Sequence, residues 1–337
     1  MLNRAINALE LIKLGPVDGT KRKVRGKLAS MATDSFFNSL AYAGRYHPLA
    51  HPKLHGVSVK RGVRYGQEHK RQKLDIYRPV KTSKKTVPIV FYVHGGGFRA
   101  MSKDSHWLMG LIFAKKGYLV VNVDYGLYPK HRFPEPLKDV FKAYAWLLQH
   151  ARGLGGDPSQ IMVAGESAGA NLIMALVCAY HFERPESYAQ ELKSLGHPPV
   201  MALPQCGILQ VTNIDRYERD PDTASTYVDL MNIVSNSYLT SESQAGQPAS
   251  LADPLRVLEE ETPTSPLPPC FISVGGDDPL RDDSLRLGQA LRRQQSPSQF
   301  AKYPGEIHAF QMLIWRKQTR RCWRDTFDFM ERHWPST

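Results

Sequence analysis

The sequence predicts an α/β fold, a mostly parallel central sheet flanked by helices, and three observations carry that prediction. Short runs of branched and aromatic residues alternate with amphipathic stretches from about residue 74 onward. This is the pattern of strands joined by right-handed helical crossovers. Several of the runs are apolar without a period of two, as strands covered on both faces should be. The length of 337 residues allows a large core without a disulfide scaffold.

The elements follow in order. Residues 1–55 are helical and basic. Leu2, Ile6, Leu9 and Ile12 are spaced as a helical stripe, not as the unbroken apolar centre of a secretory leader. A strand pair is expected at 56–63 and 73–77, and further strands at 87–94, 118–123, 160–164, 203–211, 270–274 and 300–303. Leu137, Val140, Phe141, Tyr144, Leu147 and Leu148 mark one helix face behind Pro134 and Pro136. Residues 172–179 are apolar all round and predict a buried helix. Trp323, Phe327, Met330 and Trp334 share one face of the closing helix.

Residues 212–262 interrupt the alternation. They are polar, with Tyr227, Leu230, Ile233, Tyr238 and Leu239 interleaved, and are too long for a structureless loop in a compact domain. Together with residues 1–55 they predict a small helical cap. Residues 56–211 and 263–337 then form the main domain.

Composition narrows the partners. Cys178, Cys206, Cys270 and Cys322 have neither zinc-knuckle nor thioredoxin spacing, so buried thiols in a reducing compartment are expected. No run approaches a membrane span, and the expected location is the cytoplasm. The net charge of +12 raises nucleic acid or an anionic surface as a partner. No zinc-finger or RNP1-like motif accompanies the basic clusters, which argues against nucleic acid. The basic amphipathic N-terminus leaves weak contact with an anionic membrane surface open. His47, His51 and His55 have metal-like spacing, but Pro48 and Pro52 break the helix that would align them. No metal is expected. The oligomeric state stays open, a dimer included.

The chemistry gathers in four places. Gly165-Glu166-Ser167-Ala168-Gly169 follows an apolar run and opens the buried helix, the strand–turn–helix setting of a nucleophile elbow. His94-Gly95-Gly96-Gly97-Phe98 ends an earlier strand. Consecutive glycines let backbone N–H groups point into a cavity, as an oxyanion hole requires. Neither phosphate-binding glycine pattern can be drawn there. A serine nucleophile needs a base, and the base needs a carboxylate to orient it. His308, between the last apolar run and the final helix, is the best-placed histidine. Gly276-Asp277-Asp278-Pro279-Leu280 offers the carboxylate after the preceding strand. The order Ser, Asp, His is that of one known arrangement of this chemistry.

These motifs resemble those of the hormone-sensitive-lipase-like branch of α/β-hydrolase esterases, over residues 70–335. His94-Gly-Gly-Gly-Phe98, Gly165-x-Ser-x-Gly169, Asp278-Pro-Leu-Arg-Asp282, His308-Ala-Phe310 and Leu74-Asp-Ile-Tyr-Arg-Pro79 carry the likeness. The resemblance implies an α/β-hydrolase fold with a cap drawn from the two segments set apart above. It implies Ser167, Asp278 and His308 as catalytic residues, with Asp278 favoured over Asp277. Its oxyanion donors fall on the N–H groups of Gly96, Gly97 and Ala168, supported by His94, Gly95, Gly165, Glu166 and Gly169. The implied activity is that of a serine carboxylesterase on short-to-medium acyl esters, through an acyl-enzyme and with no cofactor. An amidase, formamidase or deacetylase would use the same triad. A non-catalytic small-molecule receptor on this fold is a further alternative, which the presence of His308 argues against.

The chain also departs from that branch. Asp124-Tyr-Gly-Leu-Tyr-Pro-Lys130 stands where Asp-Tyr-Arg-Leu-Ala-Pro-Glu is frequent, which questions the charge pairing of that loop. Glu166 replaces the commoner Asp or Thr. Gly165-Glu-Ser-Ala-Gly-Ala170 also resembles type-B carboxylesterases, but those chains are much longer and use a Glu acid.

Overall fold

The computed structural model describes residues 19–80, 85–219, 223–240 and 249–334. The apolar stripe from Leu2 to Ile12 lies outside them. The first described element is the helix α1, Gly19–Arg45. Two 3-10 turns follow, Pro48–Ala50 and Pro52–His55, each opened by its proline.

An eight-stranded sheet comes next, with strands β1 Val57–Arg64, β2 Lys73–Pro79, β3 Val87–Val93, β4 Leu119–Val123 and β5 Gly156–Glu166, then β6 Met201–Gln205, β7 Cys270–Gly275 and β8 Ser298–Tyr303. Their order across the sheet is β1-β2-β4-β3-β5-β6-β7-β8. The pairs β1–β2 and β2–β4 are antiparallel, and all the others are parallel. Helices cover both faces, as the apolar runs demanded. Ile89, Phe91 and Val93 point into the core shared with α3 (Glu135–His150), α4 (Ala168–His181) and α9 (Arg281–Arg293). Val90 and Tyr92 point the other way, toward α2 (Trp107–Lys115) and α10 (Lys317–His333). Every residue of α4 is buried, and the short helix α5 (Ser187–Ser194) follows it.

One strand is shorter than expected. The apolar run 203–211 leaves the sheet after Cys206, whose N–H still donates to the Ser273 carbonyl at 2.8 Å but whose left-handed φ of 40° turns the chain out of the sheet. The N–H groups of Leu209 and Gln210 then donate to Oδ2 of Asp283, at 2.8 and 3.1 Å. An α9 carboxylate replaces a neighbouring strand.

Within 212–262 lie α6 (Asp215–Glu218), α7 (Ser225–Tyr238) and α8 (Pro254–Glu260). Helix α8 packs into the main core through Leu255, Val257 and Leu258. Helix α7 instead packs on α1. Gly26 makes that approach close: a Cβ there would sit 2.8 Å from the Asp229 carbonyl oxygen. Beside it, Arg25 Nε donates to Asp229 at 2.5 Å. Trp107 Nε1 donates to the Ala41 carbonyl, 2.9 Å, and ties α1 to α2.

The four cysteines are buried and unpaired. Among the described residues, no helix is long and apolar enough to cross a membrane.

Candidate active site

Parallel register brings together segments far apart in the chain. Val93 pairs with Gly165, Glu166 with Gln205, Gln205 with Ser273, and Gly275 with Tyr303. The residues after β3, β5, β6, β7 and β8 therefore emerge along one edge, where open α/β sheets hold their ligands.

Ser167 follows β5 with φ 54° and ψ −118°, a conformation that costs a non-glycine residue energy. The elbow glycines are demanded by β3. A Cβ on Gly169 would lie 2.1 Å from the Val93 carbonyl oxygen, and one on Gly165 would lie 2.7 Å from the same atom. Phe98, Met101, Cys206 and Ala309 also have positive φ, and all lie in or beside the segments converging here. Strain of this kind collects at functional sites.

Asp278 and His308 meet. The His308 Nδ1 lies 2.9 and 3.1 Å from the two Asp278 carboxylate oxygens. Asp278 is fully buried, and Leu280 N–H donates to it at 2.8 Å. Asp277 is exposed. Burial alone would lower the His308 pKa, but the Asp278 carboxylate outweighs it and raises the pKa well above the ordinary histidine value.

Ser167, His308, Gly96 and Gly97 line one pocket of about 100 Å³. Its wall is mostly apolar, with Phe37 from α1, Leu230, Met231 and Val234 from α7, and Leu280 and Met312 from the body. Gly96 has φ 104°, and a Cβ would fall 2.3 Å from the Ala100 carbonyl oxygen. The N–H groups of Gly96 and Gly97 donate to no protein acceptor among the described residues. Ala168 opens α4, where the first N–H groups lack intrahelical acceptors.

Glu166 lies against the glycine loop and, with His106, lines the same pocket as Ser167. Its Oε1 accepts from Gly95 N–H at 2.5 Å and from His106 Nε2 at 2.6 Å, and its Oε2 accepts from the Tyr92 hydroxyl. Burial would raise its pKa, yet His106, Tyr92 and Gly95 together hold it below the ordinary carboxylate value. His106 moves the other way: burial lowers it, and Glu166 outweighs burial to raise it. Both shifts describe one buried ion pair. His94, also buried, donates from Nδ1 to the Gly95 carbonyl, 2.7 Å, with Tyr125 stacked at 4.5 Å.

Sequence reasoning singled out Glu166 as unusual but missed His106, Arg71 and Cys206. Arg71 lies against the 124–130 loop, whose charge pairing the sequence left in question. Its guanidinium donates to the Tyr125 and Met101 carbonyls, 2.7 and 3.0 Å, and to Asp124, 3.3 Å. At Gly126 a side chain would collide with His131 Cγ at 2.6 Å. Cys206 follows β6, and its thiol lies close to Asp278 and His308, potential ligand atoms of all three falling within 4.8 Å. Among the described residues this is the one set compact enough to share an ion. Burial pushes the thiol pKa up, and His308 Nδ1 already bonds Asp278; both work against metal binding there.

Known proteins fit the same picture. A family model described as alpha/beta hydrolase fold matches residues 90–312. Esterase LipI of Mycobacterium tuberculosis is 30% identical over 230 residues, 67% of this chain and 64% of that esterase. Versiconal hemiacetal acetate esterase of Dothistroma septosporum is 30% identical over 79% of this chain and 77% of its own length. An acetyl esterase of Salmonella paratyphi B is 30% identical over 70% of this chain and 68% of that enzyme. Among solved structures, a bacterial heroin esterase superposes with TM-score 0.73 at 22% identity, covering 98% of this chain and 97% of its own. Family match, motifs and fold agree: the chain belongs to the α/β-hydrolase family, in the hormone-sensitive-lipase-like branch that its motifs resemble.

Proposed function

We propose that this protein is a serine carboxylesterase hydrolysing short-to-medium acyl esters through Ser167, His308 and Asp278. The observation that carries the proposal is the Asp278–His308 pair, 2.9 Å apart, facing the pocket that holds Ser167 on its strained elbow. Ser167 Oγ attacks the ester carbonyl while His308 Nε2 takes its proton, and Asp278 holds Nδ1–H and steadies the imidazolium. The carbonyl oxygen becomes an oxyanion facing the N–H groups of Gly96, Gly97 and Ala168. Collapse of the tetrahedral intermediate breaks the C–O bond, and His308 returns the proton to the leaving alcohol. Water then attacks the acyl-enzyme by the same route, releasing the acid.

The apolar wall and small volume support short acyl chains, as do relatives named for acetyl and acetate esters. In this reading α1 and α7 act as the cap that closes the acyl pocket.

Ser167→Ala should abolish turnover of p-nitrophenyl butyrate and labelling by a fluorophosphonate; labelling that persists refutes the nucleophile. Asp278→Asn should lose far more activity than Asp277→Asn, and the reverse order refutes the acid.

A further inference from the structure

We propose that Arg99 is a specificity determinant of this site, receiving a carboxylate carried by the ester substrate, so that esters with an anionic arm are preferred over neutral ones. The proposal rests on the esterase reading above and names its substrate class.

Arg99 stands two residues beyond Gly97, and its N–H donates to the Gly96 carbonyl at 3.1 Å. Its Cα is thereby held in fixed relation to the glycine loop. The side chain reaches across the pocket mouth to α1, where Nη1 donates to the Ser30 hydroxyl. It is the one lysine or arginine among the described residues lining this pocket, whose wall is otherwise mostly apolar.

The guanidinium is under-used. Its buried Nε has no hydrogen-bond partner. Asp34, the acidic residue of α1 facing it, lies 4.0 Å from Nη1, beyond hydrogen-bond reach. Burial raises the Asp34 pKa against the opposing pull of Arg99 and Ser30. A loosely held carboxylate makes a weak competitor for a fork whose geometry matches a carboxylate with two parallel bonds. The other cations near the loop are committed: Arg71 to Asp124 and two carbonyls, Arg25 to Asp229, and His106 to Glu166. A chain with net charge +12 also draws anionic substrates toward it.

Three esters test the proposal. p-Nitrophenyl butyrate is the neutral reference, p-nitrophenyl hemiglutarate places a carboxylate on the acyl side, and 4-butyryloxybenzoate places one on the alcohol side. The readout is the ratio of kcat/KM on each anionic ester to that on the neutral one. Arg99→Met should lower this ratio at least about fivefold on one arm, Arg99→Lys should restore part of it, and Asp34→Asn should raise it. A smaller change on both arms in Arg99→Met, or a fall in Asp34→Asn, overturns the proposal.

A binding measurement separates this from failure of the esterase reading. Calorimetric binding of monomethyl glutarate to Ser167→Ala protein, with and without Arg99→Met, probes the contact without turnover. If wild type hydrolyses none of the three esters, the esterase reading has failed. If monomethyl glutarate binding is indifferent to Arg99→Met, the Arg99 proposal has failed.

Discussion

At the residue scale, proton positions follow from geometry. His106 faces acceptors on both ring nitrogens: Glu166 Oε1 at 2.6 Å from Nε2, and the Ser102 carbonyl at 3.1 Å from Nδ1. The nearby Ser105 hydroxyl spends its own proton on Ser102, 2.8 Å away. Ser105 Oγ also lies 3.0 Å from Nδ1; with its proton on Ser102 both His106 nitrogens donate, the arrangement of an imidazolium, and against burial Glu166 raises the His106 pKa in the same direction. His308 differs in having one carboxylate on Nδ1 and leaving Nε2 for the reaction. In the proposed role of base it must be neutral, and its pKa is raised by Asp278. Activity should therefore climb with pH through an acid limb above the ordinary 6.5 of histidine. Asp278→Asn should move that limb down and cut kcat roughly ten-thousand-fold. A wild-type limb at or below the ordinary value would contradict this assignment.

Elements meet here through buried charge as much as through apolar contact. Asp283, on the first turn of α9, is fully buried and serves the segment after β6. It accepts the Leu209 and Gln210 N–H groups and pairs with Arg216 of α6 at 2.8 Å. Removing the carboxylate takes the counter-ion from the part-buried Arg216 and leaves the Leu209 and Gln210 amides without their acceptor. Asp283→Ala should then cost about 3 kcal/mol or more in urea unfolding. A loss below about 1 kcal/mol would mean that the chain after β6 is held by its side chains instead.

Across the whole molecule, the pocket is composite. The side holding Ser167 comes from the sheet edge, and much of the apolar wall comes from α1 and α7. Gly26 is where those two helices touch, with Ile233 Cδ1 and the Asp229 carbonyl both inside contact distance of any added Cβ. Gly26→Leu should push α1 off α7 and misplace the wall while leaving the sheet core intact. The expected result is a roughly tenfold loss of kcat/KM on p-nitrophenyl butyrate. The loss should fall mainly on KM, with the Tm lowered by less than about 4 °C. An unchanged KM would show that α1 does not shape the acyl site.

Strand–helix alternation, the elbow, the glycine triplet and the late histidine were legible in the chain because each is a local pattern. Apolar runs mark strands buried on both faces, glycines stand where the backbone crowds, and order along the chain supplies the topology. The pairing of Asp278 rather than Asp277 with His308 came from resemblance to a family and then from the turn that buries one and exposes the other. The shortening of the sixth strand was not legible, because an acid some seventy residues downstream takes its amides. Nor was the Glu166–His106 pair, the bonding of Arg71 to Asp124, or the reach of Arg99 across to α1. These contacts join residues from different elements, and nothing in local sequence records their distance. Only the parallel register of β3, β5 and β6, set by packing on both faces of the sheet, brings such groups within bonding range.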